Sequence, residues 1–257
     1  MTFPPSIGVL VAGQPYTRDT IGMSGARILL YPDRVLKIQP QSGEADREIA
    51  IMAWLAGKLP VPDILHTETV DGTSYLLMSR LPGVMSCDTS VLERPKSAVS
   101  ILARGLRMLW QVDVSDIPLP NTLEDKLRAA EYRVTHGLCD TENAEPDTYG
   151  PDGFSSPAEL LAWLREHCPQ ENPVFSHGDY CLPNVFVQGG RVSGFLDLGR
   201  SGISDPYQDI ALCYRSLLHN YEEFPHPDFQ PGLLFEALEL EPDWEKIRYY
   251  ILLDELF

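Results

Sequence analysis

The sequence predicts an α+β fold in which a small antiparallel β-sheet with one helix precedes a larger, mainly helical part. Three observations support this prediction. Short apolar runs separated by turns fill the first third of the 257 residues, stretches with helical periodicity follow, and no internal repeat interrupts this order. We place the boundary at residue 80, so that residues 1–80 form a smaller lobe and residues 81–257 a larger one.

The smaller lobe contains four strand candidates. Residues 26–31 and 34–38 are apolar runs on either side of a Pro-Asp turn. Residues 64–70 and 73–79 flank Asp71-Gly72, a dipeptide that favours a tight hairpin turn. These runs are short enough, and close enough in sequence, to form one antiparallel sheet.

One helix is predicted between these pairs of strands, from about Gly43 to Ala56. Ser42 is a suitable N-cap, because its hydroxyl can accept a backbone N–H of the first turn. Gly57 and Pro60 then end the helix.

In the larger lobe the pattern becomes helical from Ser97, and a second helix is predicted from Leu123 to about Thr135. The run Ser156-Pro157-Ala158-Glu159 supplies an N-cap, a proline at the first helical position and a capping-box acid. Residues 174–198 are predicted as short strands. Capped helices are expected to follow after Asp205 and from about Asp243 to the C-terminus.

Composition excludes several classes of protein. The five cysteines are scattered and form no CxxC pair, which argues against a disulfide framework and a structural zinc site. The formal net charge of −17 disfavours nucleic acid and anionic lipid as partners. The sequence has no signal-peptide pattern and no apolar run long enough to span a membrane, so we expect a cytoplasmic protein without a membrane partner. The oligomeric state is left open.

The segment from His177 to Gly199 carries the clearest chemical signal. Asp179 and Asn184 are five positions apart, and Asp197 lies thirteen beyond Asn184. In a strand-loop-strand arrangement this spacing brings two carboxylates and an amide oxygen together. Phosphoryl transfer needs such a set, with Asp179 accepting the proton of the attacking hydroxyl and Asn184 and Asp197 holding Mg²⁺.

A lysine inside an apolar strand is the second signal. Lys37 lies in the run Val35–Ile38, and lysine is rarely buried without a partner. Glu48, on the following helix, is the natural partner, and together they are expected to hold the phosphates of ATP. Taken separately, Lys37 also fits an edge strand and Glu48 a solvated helix face.

The loop that covers the nucleotide has a weaker signal. The candidate is Gly22–Ala26, in which Ser24 can meet a phosphate through its hydroxyl and backbone N–H. An ordinary tight turn explains the same residues. The sequence has no Walker A lysine motif, which argues against a P-loop kinase.

The run His177-Gly178-Asp179 with Asn184, followed by Asp197-Leu198-Gly199, resembles the catalytic loop and the D-F-G motif of protein kinases. The chain as a whole resembles the aminoglycoside 3′-phosphotransferases, which implies a bilobal protein-kinase-like fold. It also implies transfer of the γ-phosphoryl group of ATP, with Mg²⁺, to the 3′-hydroxyl of kanamycin- and neomycin-type antibiotics, and so resistance to them. The resemblance is densest in residues 54–62, 75–79, 175–184, 192–216 and 242–257.

The resemblance also implies binding residues. Those for the polycationic aminoglycoside are Asp140, Glu142, Asn143, Glu145, Asp254, Glu255 and Phe257, together with Arg200, which matches an arginine that holds the site together. Those near adenine are Met78, Ser79 and Leu81, with Val35 where relatives often have an aromatic ring.

Charge placement supports the acidic residues independently. Three acids crowd the loop at 140–145 without a nearby lysine or arginine in sequence, and Asp254, Glu255 and the terminal carboxylate sit at a helix end that favours cations. We therefore expect uncompensated acids that await a cationic ligand. A solvated loop and a fraying helix are the alternative.

Other functions with the same motifs remain open at this point. A choline-, homoserine- or macrolide-type kinase would keep the fold and change the acceptor. A catalytically inactive kinase-like binding module is disfavoured because the catalytic residue types are intact. A protein kinase is disfavoured because only a short segment separates Asp197 from the helix after Asp205.

Overall fold

A computed structural model of the chain describes residues 3–18, 25–151 and 153–257. An antiparallel sheet with strand order β1-β2-β3-β5-β4 forms the smaller lobe. Its strands are β1 (Thr17–Arg18), β2 (Arg27–Leu30), β3 (Arg34–Pro40), β4 (Ile64–Val70) and β5 (Thr73–Ser79). Its helices are α1 (Pro5–Val11) and α2 (Gly43–Leu55).

The turns of this sheet follow from the residues that form them. Asp71 and Gly72 both adopt positive φ angles, 48° and 71°, between the antiparallel strands β4 and β5. This combination matches the right-handed twist of the two strands and favours Asp-Gly. Ser42 caps α2 by accepting the N–H of Ala45, as the sequence predicts.

The larger lobe is mainly helical. Its helices are α3 (Thr89–Leu92), α4 (Pro95–Trp110), α5 (Leu123–Thr135), α6 (Pro157–Glu166), α7 (Pro206–Glu223), α8 (Leu233–Leu238) and α9 (Trp244–Asp254). Its strands are β6 (Val84–Met85), β7 (Val174–Ser176), β8 (Val185–Gln188), β9 (Arg191–Phe195) and β10 (Gly202–Ser204). No helix in the described part of the chain has the length and apolar character needed to cross a membrane.

One apolar core runs through the larger lobe and reaches the sheet. It includes Leu102 and Leu106 of α4, Ile210 of α7 and Tyr250 of α9, and it contacts Ile51 and Leu55 on the buried face of α2. Burial of apolar side chains is the main favourable contribution to folding. Because α2 packs into this core, the smaller lobe is held against the turn Leu198–Arg200 that follows β9.

The structure corrects several details of the predicted elements. Helices α1 and α8 were not predicted, because each spans only about two turns or less and lacks a strong periodic pattern. Helix α4 starts at Pro95 rather than Ser97. Ser156 caps α6 as predicted, but the carboxylate of Glu159 accepts from Ser155 and not from the N-cap itself. The division of the chain at residue 80 remains a prediction.

Candidate active site

Lys37 lies in the middle of the sheet rather than at its edge. Strand β3 pairs with β2 on one side and β5 on the other, so Lys37 faces Ile28 and Leu76 across the ladder. Only 6% of Lys37 and 3% of Glu48 are exposed. The Lys37 ammonium donates to both carboxylate oxygens of Glu48 at 2.9 Å and also contacts Asp197. The structure therefore brings Lys37 and Glu48 together as predicted and excludes the edge-strand alternative.

The charge of Lys37 is secured by its neighbours. Burial alone would lower the pKa of Lys37, since a buried ammonium loses its hydration. The carboxylates of Glu48 and Asp197 outweigh this loss and raise the pKa above its ordinary value. Lys37 is therefore a fixed cation in the cleft between the lobes.

Asp179 and Asn184 lie on one loop between β7 and β8. The side-chain amide of Asn184 donates to the backbone carbonyl of Asp179 at 3.0 Å and to its carboxylate at 2.9 Å. The 3-10 turn Leu182–Asn184 returns the chain towards Asp179, which makes this contact possible. Burial, reinforced by the nearby carboxylate of Asp254, raises the pKa of Asp179, and Arg200 opposes the shift. A carboxylate with a raised pKa is a better proton acceptor than an ordinary surface acid.

Asp197 is brought beside the same loop by β-strand pairing. Strands β8 and β9 are antiparallel, and the N–H of Leu196 donates to the carbonyl of Asn184 at 2.9 Å. Asp197 itself adopts a left-handed conformation (φ 55°), which turns the chain sharply after β9. Its side chain is 46% exposed, so part of it is accessible from outside the protein.

These residues offer oxygen atoms suited to a magnesium ion. The amide nitrogen of Asn184 donates a hydrogen bond to Asp179, so the amide oxygen is free to act as a metal ligand. Asp197 has a half-exposed carboxylate that can act as a second ligand. Among the described residues, no group of three or more His, Cys, Asp or Glu side chains is arranged to hold a metal ion. Magnesium is usually held by one or two carboxylates with phosphates and water completing its shell, so the donor set fits.

A buried aspartate that sequence reasoning missed anchors the loop. Asp209, on the first turns of α7, accepts the N–H of His177 at 2.8 Å, the N–H of Gly178 at 2.9 Å and the hydroxyl of Ser176 at 3.0 Å. The side chain is fully buried. The only sequence signal was an acid on an otherwise apolar helix face.

Arg200 connects the end of α9 to the helix α2. Its guanidinium donates to Asp254 at 3.0 Å, lies 3.5 Å from a carboxylate oxygen of Glu44, and sits over the ring of Phe257. A planar guanidinium can make several such contacts at once. These contacts join α2, α9 and Phe257, and the role of Arg200 in holding the active site together stays a prediction.

Arg215 of α7 is a further functional residue that the sequence analysis did not identify. It contacts Asp254, donates to Glu255 at 3.2 Å and lies 3.8 Å from Glu145. The backbone N–H of Glu145 also donates to Glu255 at 3.2 Å. The expectation that Asp254 and Glu255 are uncompensated is therefore wrong. No pattern near either acid indicated Arg215, because the contact joins α7 to the chain terminus about forty residues later.

Comparison with known proteins agrees with this geometry. A sequence model of the phosphotransferase enzyme family matches residues 20–250. An aminoglycoside 3′-phosphotransferase of Enterococcus faecalis is 39% identical over 100% of this chain and 99% of its own length. The chain belongs to the aminoglycoside 3′-phosphotransferase family.

Solved structures share the architecture of this phosphotransferase. The crystal structure of a type VIII aminoglycoside-3′-phosphotransferase superposes with a TM-score of 0.78 at 26% identity, covering 98% of this chain and 97% of the other. An aminoglycoside phosphotransferase from Streptomyces rimosus, in complex with ADP and streptomycin, superposes with a TM-score of 0.78 at 22% identity, covering 98% and 97%. The predicted family and the bilobal protein-kinase-like fold are thus confirmed.

Six of the predicted antibiotic-binding residues of the phosphotransferase fall into two groups. Glu145, Asp254 and Glu255 lie together around Arg215. An exposed turn contains the other three, Asp140, Glu142 and Asn143. In this turn the Asp140 carboxylate accepts the backbone N–H groups of Glu142 and Asn143 and the side-chain amide of Asn143. These contacts fix the turn and lower the pKa of Asp140.

The predicted adenine-binding residues lie where β5 ends. Met78 is buried opposite Val35 of β3. Ser79 uses its hydroxyl to accept the N–H of Asp63 at 2.8 Å. A side chain at Gly194 would collide with Leu81, since a Cβ there would lie 2.4 Å from the leucine methyl carbon. Ser24 lies outside the described residues.

Proposed function

We propose that this phosphotransferase transfers the γ-phosphoryl group of ATP to the 3′-hydroxyl of kanamycin- and neomycin-type aminoglycosides and so confers resistance to them. The observation that carries the proposal is the convergence of Lys37, Asp179, Asn184 and Asp197 in one cleft. Relatives named aminoglycoside 3′-phosphotransferase over the full length of the chain support the acceptor. The complex of the Streptomyces rimosus enzyme with ADP supports the nucleotide.

Each group has a role that follows from its contacts. Lys37, held by Glu48, neutralises the phosphates of ATP, and Met78, Ser79 and Leu81 line the adenine side. Asn184 and Asp197 would hold Mg²⁺, which supplies charge neutralisation to the phosphates when bound. Asp179 accepts the proton of the attacking hydroxyl, and Asn184 orients its carboxylate.

The acidic groups explain selection of a polycationic sugar. The carboxylate of Asp254 acts on Asp179, and Glu145 and Glu255 lie beside Asp254 around Arg215. The exposed turn with Asp140, Glu142 and Asn143 is proposed to add further polar contacts to the antibiotic. An exposed ion pair contributes only about 0.2–1 kcal/mol, whereas micromolar binding needs about 8 kcal/mol. The antibiotic is therefore held by many weak contacts rather than by one acid. Arg200 and Arg215 keep the acids in place.

The cellular setting follows from charge and substrate. A net charge of −17 repels nucleic acid and anionic lipid, so the only partners proposed are the nucleotide and the antibiotic. We propose a cytoplasmic location, because ATP is supplied inside the cell. Purified protein should accordingly show no retention on a DNA column at low salt; retention there would contradict the proposal.

The decisive experiment compares two antibiotics that differ in one oxygen. Purified protein is mixed with Mg-ATP and either kanamycin or its 3′-deoxy analogue, and ADP release is followed. Turnover is expected only with the hydroxyl-bearing drug, and it should be lost in Asp179→Ala. Equal turnover of both drugs would exclude the 3′ position, and turnover of choline alone would exclude an aminoglycoside acceptor.

A further inference from the structure

A cavity of about 500 Å³ borders the catalytic loop, and it shares Arg200, Asp254 and Phe257 with the predicted antibiotic site. It is bordered by the first turns of α2, by α5, and by parts of α7 and α9, and it is open on one side. The backbone of Gly178 and Gly199 forms the wall next to the active site, but Asp179 and Asp197 are not among its lining residues. Its size is that of a small-molecule site.

Two cations face this cavity without a carboxylate partner. Lys126 is only 5% exposed, and its ammonium makes one hydrogen bond, to the amide oxygen of Gln208 at 2.8 Å. Arg47 donates to the carbonyl of Leu119 at 3.1 Å. Within the described residues, neither forms an ion pair. An ammonium has three donors and a guanidinium five, so most of their capacity is unused.

The electrostatic setting of Lys126 is consistent with an incomplete site. Burial, together with the nearby charge of Arg47, lowers the pKa of Lys126 to about 8, although Glu171, Asp209 and Asp125 oppose the shift from beyond ion-pair distance. The two carboxylates on the cavity wall, Glu44 and Asp254, are already engaged by Arg200. A buried cation is usually compensated by an anion.

Part of the wall is apolar. Leu212 of α7 and Leu253 and the ring of Tyr250, both of α9, line this part. We propose that this cavity binds a small carboxylate with an apolar body, its anionic group lying between Arg47 and Lys126. A monoanion suits the site better than a dianion, because Glu44 and Asp254 stand on the same wall. The two cations repel the ammonium groups of an aminoglycoside, so the antibiotic is not the proposed occupant.

Three matched probes test the proposal by ligand-observed NMR titration of the full chain at neutral pH. Benzoate carries the charge, benzamide is its neutral counterpart, and benzylamine carries the opposite charge. We expect benzoate to bind with a Kd of about 1 mM, roughly tenfold more tightly than benzamide, and benzylamine not to bind. Benzoate should remain bound when saturating Mg-ATP is added, because the nucleotide occupies the other side of Gly178.

Variants locate the site. Lys126→Met and Arg47→Gln should each weaken benzoate about tenfold, while Lys96→Met, which removes an exposed lysine of α4, should leave it unchanged. Arg47 is only half-buried, so Arg47→Gln decides the matter if Lys126→Met fails to fold in a thermal melt. Equal binding of benzoate and benzamide, displacement of benzoate by ATP, or unchanged affinity in Arg47→Gln would each overturn the proposal.

Discussion

Asp209 holds the backbone of His177, two residues before the proposed base, through an N–H···O hydrogen bond of 2.8 Å. Its other oxygen accepts the N–H of Gly178 at 2.9 Å, so one buried carboxylate fixes two consecutive peptide groups. Such hydrogen bonds to a charged acceptor are stronger than neutral ones. The position of Asp179 in the cleft therefore depends on a residue thirty positions away in the sequence.

Asp209→Asn should lower kcat more than it changes either KM. The amide offers one acceptor instead of two and places its NH₂ group against a backbone donor, which costs about 1–3 kcal/mol of stability. A displacement of about 1 Å at the reacting group can reduce the rate about 10²-fold. Steady-state ADP release measures the effect. Ser176→Ala, which removes only the hydroxyl contact, is the control, and an equal loss in both variants would contradict this role.

Asp179→Asn tests the proton acceptor itself. Loss of a general base reduces kcat by about 10²–10⁴-fold, whereas binding of both substrates should be nearly unchanged. The raised pKa of Asp179 adds a pH signature, since the carboxylate must be ionised to act. In the wild type kcat/KM should fall on acidification at a pH above that of an ordinary aspartate, whose pKa is about 3.9. If kcat/KM falls only near the pKa of an ordinary aspartate, Asp179 is not the proton acceptor.

Lys37→Met should destabilise the fold as well as abolish activity. It leaves Glu48 buried without its cation, and breaking a buried ion pair from one side costs about 3–5 kcal/mol. The double variant Lys37→Met with Glu48→Leu removes both charges and should regain much of that loss. Urea unfolding measures the three free energies, and activity should stay absent in both variants. A double variant no more stable than Lys37→Met would show that the unpaired charge of Glu48 does not cause the loss of stability.

Much of the site could be predicted because it is encoded locally. Asp179, Asn184 and Asp197 belong to one loop and the hairpin after it, so spacing alone brings them together. Lys37 and Glu48 lie on adjacent elements, eleven residues apart.

The partners that could not be predicted are distant in sequence. Arg215 meets Glu255 from 40 residues away, and Arg200 meets Asp254 from 54. Such contacts depend on how α7 and α9 pack, and no periodic pattern records them. The same large separation in sequence explains why Asp254 and Glu255 were expected to have no cationic partner.

Glu255 should make stability depend on pH. Burial raises its pKa from 4.5 to about 7, and Arg215 only partly opposes this. The folded chain therefore keeps a proton that the unfolded chain releases, so the stability contributed by Glu255 is present below about pH 4.5 and is lost as the pH rises to about 7.

Unfolding free energies at about pH 5 and about pH 8 test this linkage. The wild type should lose more stability between these values than Glu255→Gln, which cannot ionise. Glu166→Gln, at an exposed position of α6, should keep the wild-type difference. An identical pH dependence in wild type and Glu255→Gln would rule out the shifted carboxyl.

Arg215 should determine how well the acidic wall binds its ligand. Arg215→Met removes the cation shared by Glu145, Asp254 and Glu255. Although the net negative charge rises, the three carboxylates then repel each other and lose their fixed positions, so we expect the KM for kanamycin to rise about tenfold, equivalent to about 1.4 kcal/mol. The KM for ATP should stay the same, because Lys37 and Asp197 are untouched.

Two further variants separate charge from geometry at this position. Arg215→Lys keeps the charge but loses the planar fork that reaches several carboxylates, so its KM for kanamycin should lie between those of wild type and Arg215→Met. Arg128→Met removes an exposed ion pair of α5 and should change neither KM. If Arg215→Met binds kanamycin as well as the wild type, the acids do not need to be held in place, and antibiotic binding depends on their charge alone.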